Sequence, residues 1–410
     1  TAPAIAIVGD GIADRIGAID GLQLVSRAEL LAICAADSEP ELPPLLTDSA
    51  EEIAVLLFTS GTTGEPKAAV LRHSNLTSYI LGTVEFAGAD PDDAALVSVP
   101  PYHIAGVSAI LSSVFSGRRL VYLESFDPAQ WVDTAITERI THAMVVPTML
   151  GRILDELERR KTSLPALRAL SYGGGPMPQA LVERALIALP NVDFVNAYGL
   201  TETASTISVL GPDDHRTAIA SDDPAVRRRL SSVGRPIDSV ELTVRGLDGE
   251  VLGPNERGEI WVRGDQVSGQ YVGRDDRTDG WFHTRDAGEF DDAGYLYVHG
   301  RLDDVIVRGG ENLSPGEIEY ALLEYPGVVD AAVVGIPDAE WGERVVAAVV
   351  LDEDADVEES ALRDHVRAKL RSTKTPERVQ FRDALPMNET GKLLRRVLRE
   401  ELAAEFNPQR

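Results

Sequence analysis

Between residues 92 and 199 short apolar runs alternate with stretches of helical period. The runs Ala94–Val99, Leu120–Leu123, Ala143–Val146, Ala169–Tyr172 and Phe194–Ala197 read as strands. Between them Val107–Phe115, Pro128–Glu138, Met149–Arg160 and Gln179–Leu189 read as helices. Asp127 supplies a cap, Pro128 fits the first helical position, and Gln130 follows three residues after the cap. Gly117 can stop the helix before it. Repeated strand–helix units with short links predict a mostly parallel sheet covered by helices. From about 231 to 300 the period changes to two, and Val240–Val244, Glu259–Val262 and Tyr295–Val298 read as antiparallel strands of a β-rich subdomain, with a turn at Asp291–Gly294. A further unit begins near 304. Ser314–Glu317 reads as a capping box with Pro315 at the first helical position, and Ile318, Ala321, Leu322 and Tyr325 form one apolar helix face. Strands at Val329–Ile336 and Val345–Leu351, a helix at 359–370, a strand at Val379–Phe381 and a helix from Leu393 complete a compact α+β domain. The first 50 residues offer one strand, Ala4–Val8, and a Pro-rich connector, Glu39–Pro44, without recognisable chemistry. The expected fold class is α/β, a large N-terminal domain of helix-covered sheets with the β-rich subdomain, followed by a small α+β domain.

With 410 residues the chain is long enough for two or three domains, and its 44% hydrophobic and 26% charged content is ordinary for a globular protein. No apolar run approaches a membrane span. The start Thr-Ala-Pro-Ala-Ile has no basic segment of a secretory signal and no initiator Met, so residues upstream of Thr1 are compatible with it. Cys34 is the single cysteine, which rules out an intrachain disulfide and is compatible with a reducing cytoplasm, the expected location. The formal net charge of −27 disfavours nucleic acid and anionic membrane as bulk partners. A site for a nucleotide triphosphate in such a chain must bring its own cations and a metal.

One stretch carries that chemistry. In Leu57-Phe58-Thr59-Ser60-Gly61-Thr62-Thr63-Gly64-Glu65-Pro66-Lys67 a buried apolar strand runs into hydroxyls and glycines and ends on a lysine. Glycine lets backbone N–H groups approach a polyphosphate, hydroxyls donate, and lysine neutralises charge. Glu65 and Pro66 separate Gly64 from Lys67, so this is not a Walker loop, which needs Gly and Lys adjacent at a helix start.

The stretch resembles the phosphate loop of the adenylate-forming superfamily of acyl-CoA synthetases, peptide-synthetase adenylation domains and luciferases. Five further stretches resemble motifs of that superfamily in its order. They are Pro100–Gly106, Ser171–Pro178, Asn196–Thr203, Gly280–Asp286 with Gly300–Asp304, and Pro386–Lys392. The resemblance implies that Thr59, Ser60, Gly61, Thr62, Thr63, Gly64 and Lys67 hold phosphates. It places His103 beside the acyl pocket and Gly173, Gly174 and Gly175 on the adenine side and the pocket wall. Within Asn196-Ala197-Tyr198-Gly199 it implies that Tyr198 stacks on adenine, and it gives Thr201 the α-phosphate and Glu202 the Mg2+. A hard cation that keeps water and phosphate ligands needs only one or two protein carboxylates. Asp286 matches the ribose-binding aspartate, Arg301 an arginine reaching ribose or phosphate, and Lys392 the lysine that stabilises charge on the substrate carboxylate and α-phosphate. Gly309, Gly310 and Glu311 match a loop lining the thioester-forming site, and Trp341-Gly342 resembles a segment near the pantetheine channel. Two positions depart from the pattern: Ala68 and Arg285 stand where the family usually has Gly.

What the resemblance implies is an acid–thiol ligase of the acyl-CoA synthetase branch using ATP, Mg2+ and CoA, with residues 1–302 as the large domain, 303–410 as a mobile lid, and a hinge at Asp303. The Pro100–Gly106 stretch has no aspartate to pair a substrate ammonium, which favours an uncharged, mainly apolar acid, fatty, alicyclic or aryl. An adenylation enzyme that loads a carrier protein, a luciferase-like oxidative outcome and an inactive nucleotide-binding relative remain as alternatives, the last because the region before Leu57 is shorter than the family's. The oligomeric state stays open, a homodimer included.

Overall fold

The computed structural model describes residues 5–9, 19–35, 49–60, 66–175, 177–352, 355–387 and 393–406. The chain forms two units, residues 1–49 and 50–410. In the first, Ile5–Val8 pairs in parallel with Gln23–Ser26, and the helix Arg27–Ala35 follows. The connector at 39–44 lies outside the described residues.

The second unit contains the expected helix-covered sheet. Its seven strands lie in the order Arg235–Pro236, Ser205–Leu210, Asp193–Leu200, Ala169–Gly173, His142–Val145, Ala94–Val97, Arg119–Tyr122. From Asp193–Leu200 through Arg119–Tyr122 every neighbouring pair is parallel, whereas Ser205–Leu210 returns antiparallel on Asp193–Leu200. The helices form where the chain chemistry placed them. Asp127 accepts from the Gln130 N–H at 2.8 Å at the head of Pro128–Thr137, and Gly117 ends Ile104–Ser116 at φ 80°. Trp131, Leu150, Ile153, Leu154, Leu170 and Phe194 are almost wholly buried between helices and sheet, and this is the largest apolar core of the unit.

The period-two region is an antiparallel sheet of Glu241–Arg245, Gly258–Arg263, Trp281–Phe290 and Leu296–Arg301, with Arg277–Thr278 at its edge. Asp291 closes the turn before Leu296 by accepting from the Ala293 and Tyr295 N–H groups at 2.9 and 2.8 Å.

A third sheet was only half foreseen. Ile53–Ser60 does not merely feed a loop; Pro66–Arg72 returns antiparallel beside it, pairing Thr59 with Lys67 and Ser60 with Pro66. The strands that flank the glycine-rich stretch therefore pair as a β-hairpin, and residues 61–65 between them lie outside the described residues. The strand is also not buried throughout, because it alternates: Leu57 is 6% exposed and Phe58 64%. Gln270–Tyr271 adds to the hairpin's other side, with Tyr271 opposite Ala69.

Residues 306–406 build their own sheet from Glu311–Leu313, Ile306–Arg308, Gly342–Leu351 and Val328–Asp338, with Arg378–Phe381 parallel to Gly342–Leu351. Alternate residues of the two long strands enter separate cores. Val333, Val345 and Val349 pack with Ile318, Leu322 and Leu362, while Val334, Val346 and Ala348 pack with Leu398 and Leu402. The expected capping box at Ser314 does not form. The Ser314 hydroxyl donates instead to the His299 carbonyl at 2.5 Å, and Glu317 pairs with Lys374 at 2.6 Å.

Candidate active site

The strand Asp193–Leu200 and the turn after it hold the densest group of expected site residues. At Gly199 the returning strand comes so close that a Cβ would lie 1.8 Å from the Ser205 carbonyl oxygen, so only glycine fits. The turn is locked by Thr203, whose hydroxyl receives the Leu200 N–H at 3.0 Å and donates to the Ser205 carbonyl at 2.7 Å. Ala204 and Ser205 take φ values of 53° and 112° to complete it. This tight return sets Tyr198 on the strand and Thr201 and Glu202 in the turn beyond it. Ala197 stays on the strand, and the Asn196 amide is committed to the Ser232 carbonyl at 2.9 Å, a structural bond that its place in the motif did not reveal.

Tyr198 donates its phenol proton to Asp286 at 2.6 Å, across 88 residues of sequence. Arg301, opposite Asp286 in the next strand, approaches the other carboxylate oxygen at 3.0 Å and donates to the Thr284 carbonyl at 2.8 Å. The Thr284 hydroxyl, in turn, receives the Asp286 N–H at 3.1 Å and donates to the Ile260 carbonyl at 2.7 Å. Asp286 is thus held from three sides, and a carboxylate is an acceptor suited to a donor such as a ribose hydroxyl. Burial, reinforced by the Asp286 charge, pushes the Tyr198 phenol well above its ordinary pKa, so it remains a neutral donor. Arg285 takes the left-handed backbone that glycine adopts without strain. Its φ is 62°, and its N–H reaches Glu259 at 3.3 Å. The left-handed backbone comes at a cost of about 1 kcal/mol for a non-glycine residue.

Glu202 is buried at 8% exposure, and its backbone carbonyl accepts from the Ser268 and Gly269 N–H groups at 2.9 and 3.0 Å. Tyr271 donates to one oxygen of its carboxylate. Among the described residues no side chain hydrogen-bonds the other oxygen, and no group of three or more His, Cys, Asp or Glu side chains is arranged to hold a metal ion by itself. One buried carboxylate with an oxygen to spare, joined through Tyr271 to the hairpin strand of Lys67, fits Mg2+, which keeps water and phosphate ligands and does not need a protein cage. Tyr271 and Thr284 escaped the sequence reading. Thr284 lies inside a recognised motif without a role in it, and Tyr271 has only the neighbouring Gly269 and Gly273 as a signal.

The remaining positions are placed as follows. Lys67 stands half-buried on the hairpin, its ammonium 5.9 Å from the centre of the Tyr271 ring. Thr59 and Ser60 end the first hairpin strand, and Gly61, Thr62, Thr63 and Gly64 lie outside the described residues. His103 caps the helix Ile104–Ser116, its Nδ1 accepting from the Ala105 N–H at 3.2 Å, which puts the proton of the neutral ring on Nε2. Of the three glycines after Ala169–Tyr172, Gly173 serves its own sheet, since a Cβ there would meet the Ala197 carbonyl oxygen at 2.2 Å. Gly174 and Gly175 are exposed and are the two that leave open wall. Gly309 and Gly310, with φ 57° and 83°, form the two-residue turn of a hairpin in which Arg308 faces Glu311. Trp341 packs against this turn, and its carbonyl receives the Gly309 N–H at 2.8 Å. Lys392 lies outside the described residues, between Met387 and Leu393, which pair as an antiparallel bridge.

Comparisons with known proteins identify the family. A family model described as AMP-binding enzyme matches residues 13–272, and a second, AMP-binding enzyme C-terminal domain, matches residues 317–392. Feruloyl-CoA synthase of Amycolatopsis sp is 36% identical over 89% of this chain and 72% of that protein. The long-chain-fatty-acid–CoA ligase FadD13 of Mycobacterium tuberculosis is 33% identical over 96% of this chain and 75% of that protein. Among solved structures, o-succinylbenzoate CoA synthetase (MenE) from Bacillus subtilis, in complex with an acyl-adenylate intermediate, superposes with a TM-score of 0.80 at 30% identity, covering 96% of this chain and 78% of that one. ATP-bound MatB from Rhodopseudomonas palustris superposes at 0.84 and 30% identity, covering 99% and 80%. The fold, the order of its motifs and these matches together place the chain in the AMP-binding enzyme family.

Proposed function

We propose that this chain is an ATP-dependent acid–CoA ligase that forms an acyl-adenylate and then a thioester. The observation that carries the reading is the convergence of Tyr198, Asp286 and Arg301 in one hydrogen-bonded cradle, one turn of chain from the buried Glu202. Relatives of closely similar length coverage are named as feruloyl-CoA, long-chain fatty acyl-CoA and 2-succinylbenzoate–CoA ligases. In the cradle Tyr198 would lie against adenine and Asp286 would accept the ribose hydroxyls. The hairpin from Thr59 to Lys67 would surround the β,γ-phosphates, Thr201 the α-phosphate, and Glu202 would hold Mg2+, which supplies charge neutralisation for the departing pyrophosphate. A substrate carboxylate oxygen attacks the α-phosphorus and the bond to pyrophosphate breaks. In the second step the thiol of CoA attacks the acyl carbon, and AMP leaves. The acid is mainly apolar, and His103 stands beside its pocket. ATP–pyrophosphate exchange over a panel of acids, with CoA consumption measured in parallel, tests this. Fatty or aryl acids should drive both. Exchange only with amino acids, or exchange without any CoA thioester, would overturn the substrate or the acceptor assignment respectively.

The two steps need different groups at one carbon, so the part from 303 onward is proposed to turn as a lid about Asp303. Support comes from the seam. No apolar cluster spans it among the described residues; the clusters of 306–406 are separate from those before them. Contacts across it are polar: Tyr320 with Ser231 at 3.2 Å and with Gln179 at 3.4 Å, and Arg257 with Glu317 at 3.4 Å. Half-exposed pairs of this kind are worth at most about 1 kcal/mol each and can be exchanged for others. Asp303→Pro, which locks φ in the turn Leu302–Asp304, should lower thioester formation about tenfold more than pyrophosphate exchange. An unchanged ratio of the two rates would place the hinge elsewhere.

A further inference from the structure

Residues 268–272 tie two parts of the site to each other. Toward the turn, the Ser268 and Gly269 N–H groups donate to the Glu202 carbonyl at 2.9 and 3.0 Å. Toward the hairpin, the Ser268 hydroxyl donates to the Val70 carbonyl, Tyr271 pairs with Ala69, and the Val272 N–H donates to the Ala68 carbonyl at 3.0 Å. Tyr271 makes both connections with one side chain. Its hydroxyl donates to the Glu202 carboxylate, and its ring lies 5.9 Å from the Lys67 ammonium.

We propose that Tyr271 is a positioning residue that holds the Glu202 carboxylate for monodentate metal binding and couples the metal to the phosphate hairpin. The inference rests on the assignment of Mg2+ to Glu202. A glutamate side chain has three rotatable bonds, and its terminal torsion is broad. The phenol bond to Oε1 removes that freedom and leaves Oε2 presented as the single coordinating atom. A carboxylate held in this way loses less entropy when the metal arrives, and partners of metal ligands typically account for about 10–100-fold in metal affinity. Because Tyr271 also belongs to the hairpin's sheet, a shift of the strand Pro66–Arg72 on phosphate binding moves the hydroxyl that fixes Glu202. Metal and polyphosphate should then each strengthen the binding of the other by one shared factor.

The test uses the full chain with Mn2+ as the spectroscopic substitute for Mg2+, titrated by electron paramagnetic resonance with and without α,β-methylene-ATP. Four proteins are compared: wild type, Tyr271→Phe, Glu202→Gln and the double variant. Tyr271→Phe keeps the ring over Lys67 and removes only the donor. It should weaken Mn2+ binding to the nucleotide complex about tenfold, reduce the mutual strengthening of metal and nucleotide, and add nothing further once Glu202→Gln is present. Tyr271→Leu, which likewise removes the donor, takes the place of Tyr271→Phe if that variant does not fold. If Glu202→Gln binds Mn2+ as wild type does, the metal assignment itself fails. If Glu202→Gln weakens binding while Tyr271→Phe, or its substitute, stays within twofold of wild type, the assignment stands and the role of Tyr271 is overturned.

Discussion

Replacing Lys392 by alanine should lower acid-dependent ATP–pyrophosphate exchange by about 10²–10³-fold, the loss usual for removing one preorganised donor to developing charge. Thioester formation from a supplied acyl-adenylate should stay within a few-fold of wild type. The reason lies in how the site's other cations are engaged. Arg301 is bound to Asp286 and to the Thr284 carbonyl, and Lys67 stands beside Tyr271 on the hairpin. The protein carries a net charge of −27, so its background field repels the nucleotide and the acid alike. Bringing a carboxylate to an α-phosphate therefore needs a further cation at the point of attack. The loop before the helix Arg395–Phe406 is the expected source, anchored by the Met387–Leu393 bridge and by the Leu394 N–H on the Pro386 carbonyl at 2.8 Å. The second half-reaction forms no bond to phosphorus and does not need that lysine. Equal loss of both half-reactions would remove Lys392 from the role and reduce it to a structural residue of the loop.

What was legible in the chain was local. The cap at Asp127, the stop at Gly117 and the strand–helix alternation depend on residues within a few positions of one another, and each appears where the pattern put it. The candidate site was legible as separate motifs. Tyr198, Glu202 and Asp286 could be named because each sits in a distinctive run. That Tyr198 donates to Asp286 could not be read, because the two lie on different sheets. The same applies to the return strand Pro66–Arg72. Its run Ala68-Ala69-Val70-Leu71 carries no alternation to mark it, and it becomes a strand by pairing with Ile53–Ser60 and Tyr271. Ser314 shows the opposite error. The local pattern was right for a capping box, but a carbonyl from a distant strand, at His299, took the hydroxyl. Tertiary partners decide such competitions, and short-range spacing does not contain them.

Gly199→Ala should be the most damaging small substitution in the site. Its Cβ would lie 1.8 Å from the Ser205 carbonyl oxygen, 2.6 Å from its carbon and 2.9 Å from the Thr206 Cα. All three are backbone atoms, so no side-chain rotation relieves the clash. The strands Asp193–Leu200 and Ser205–Leu210 must separate, and they meet at a turn already held in left-handed geometry at Ala204. Overpacking typically costs about 1–3 kcal/mol, and a clash with backbone atoms alone belongs at the upper end. The damage falls on function as well as stability, because Tyr198 precedes the glycine and Thr201 and Glu202 follow it. Splaying the pair moves the Tyr198 hydroxyl from Asp286 and the Glu202 carboxylate from Tyr271 at once. The expected result is a lowered thermal midpoint together with a loss of ATP binding that remains well below the new midpoint. Gly175→Ala is the matched control. The nearest atom to a Cβ there is a Pro147 ring carbon at 3.8 Å, an ordinary contact, so its thermal midpoint should stay near that of wild type. If Gly199→Ala kept both the midpoint and nucleotide binding, the close return of the strand at Ser205 would not be what sets Tyr198 and Glu202 in place.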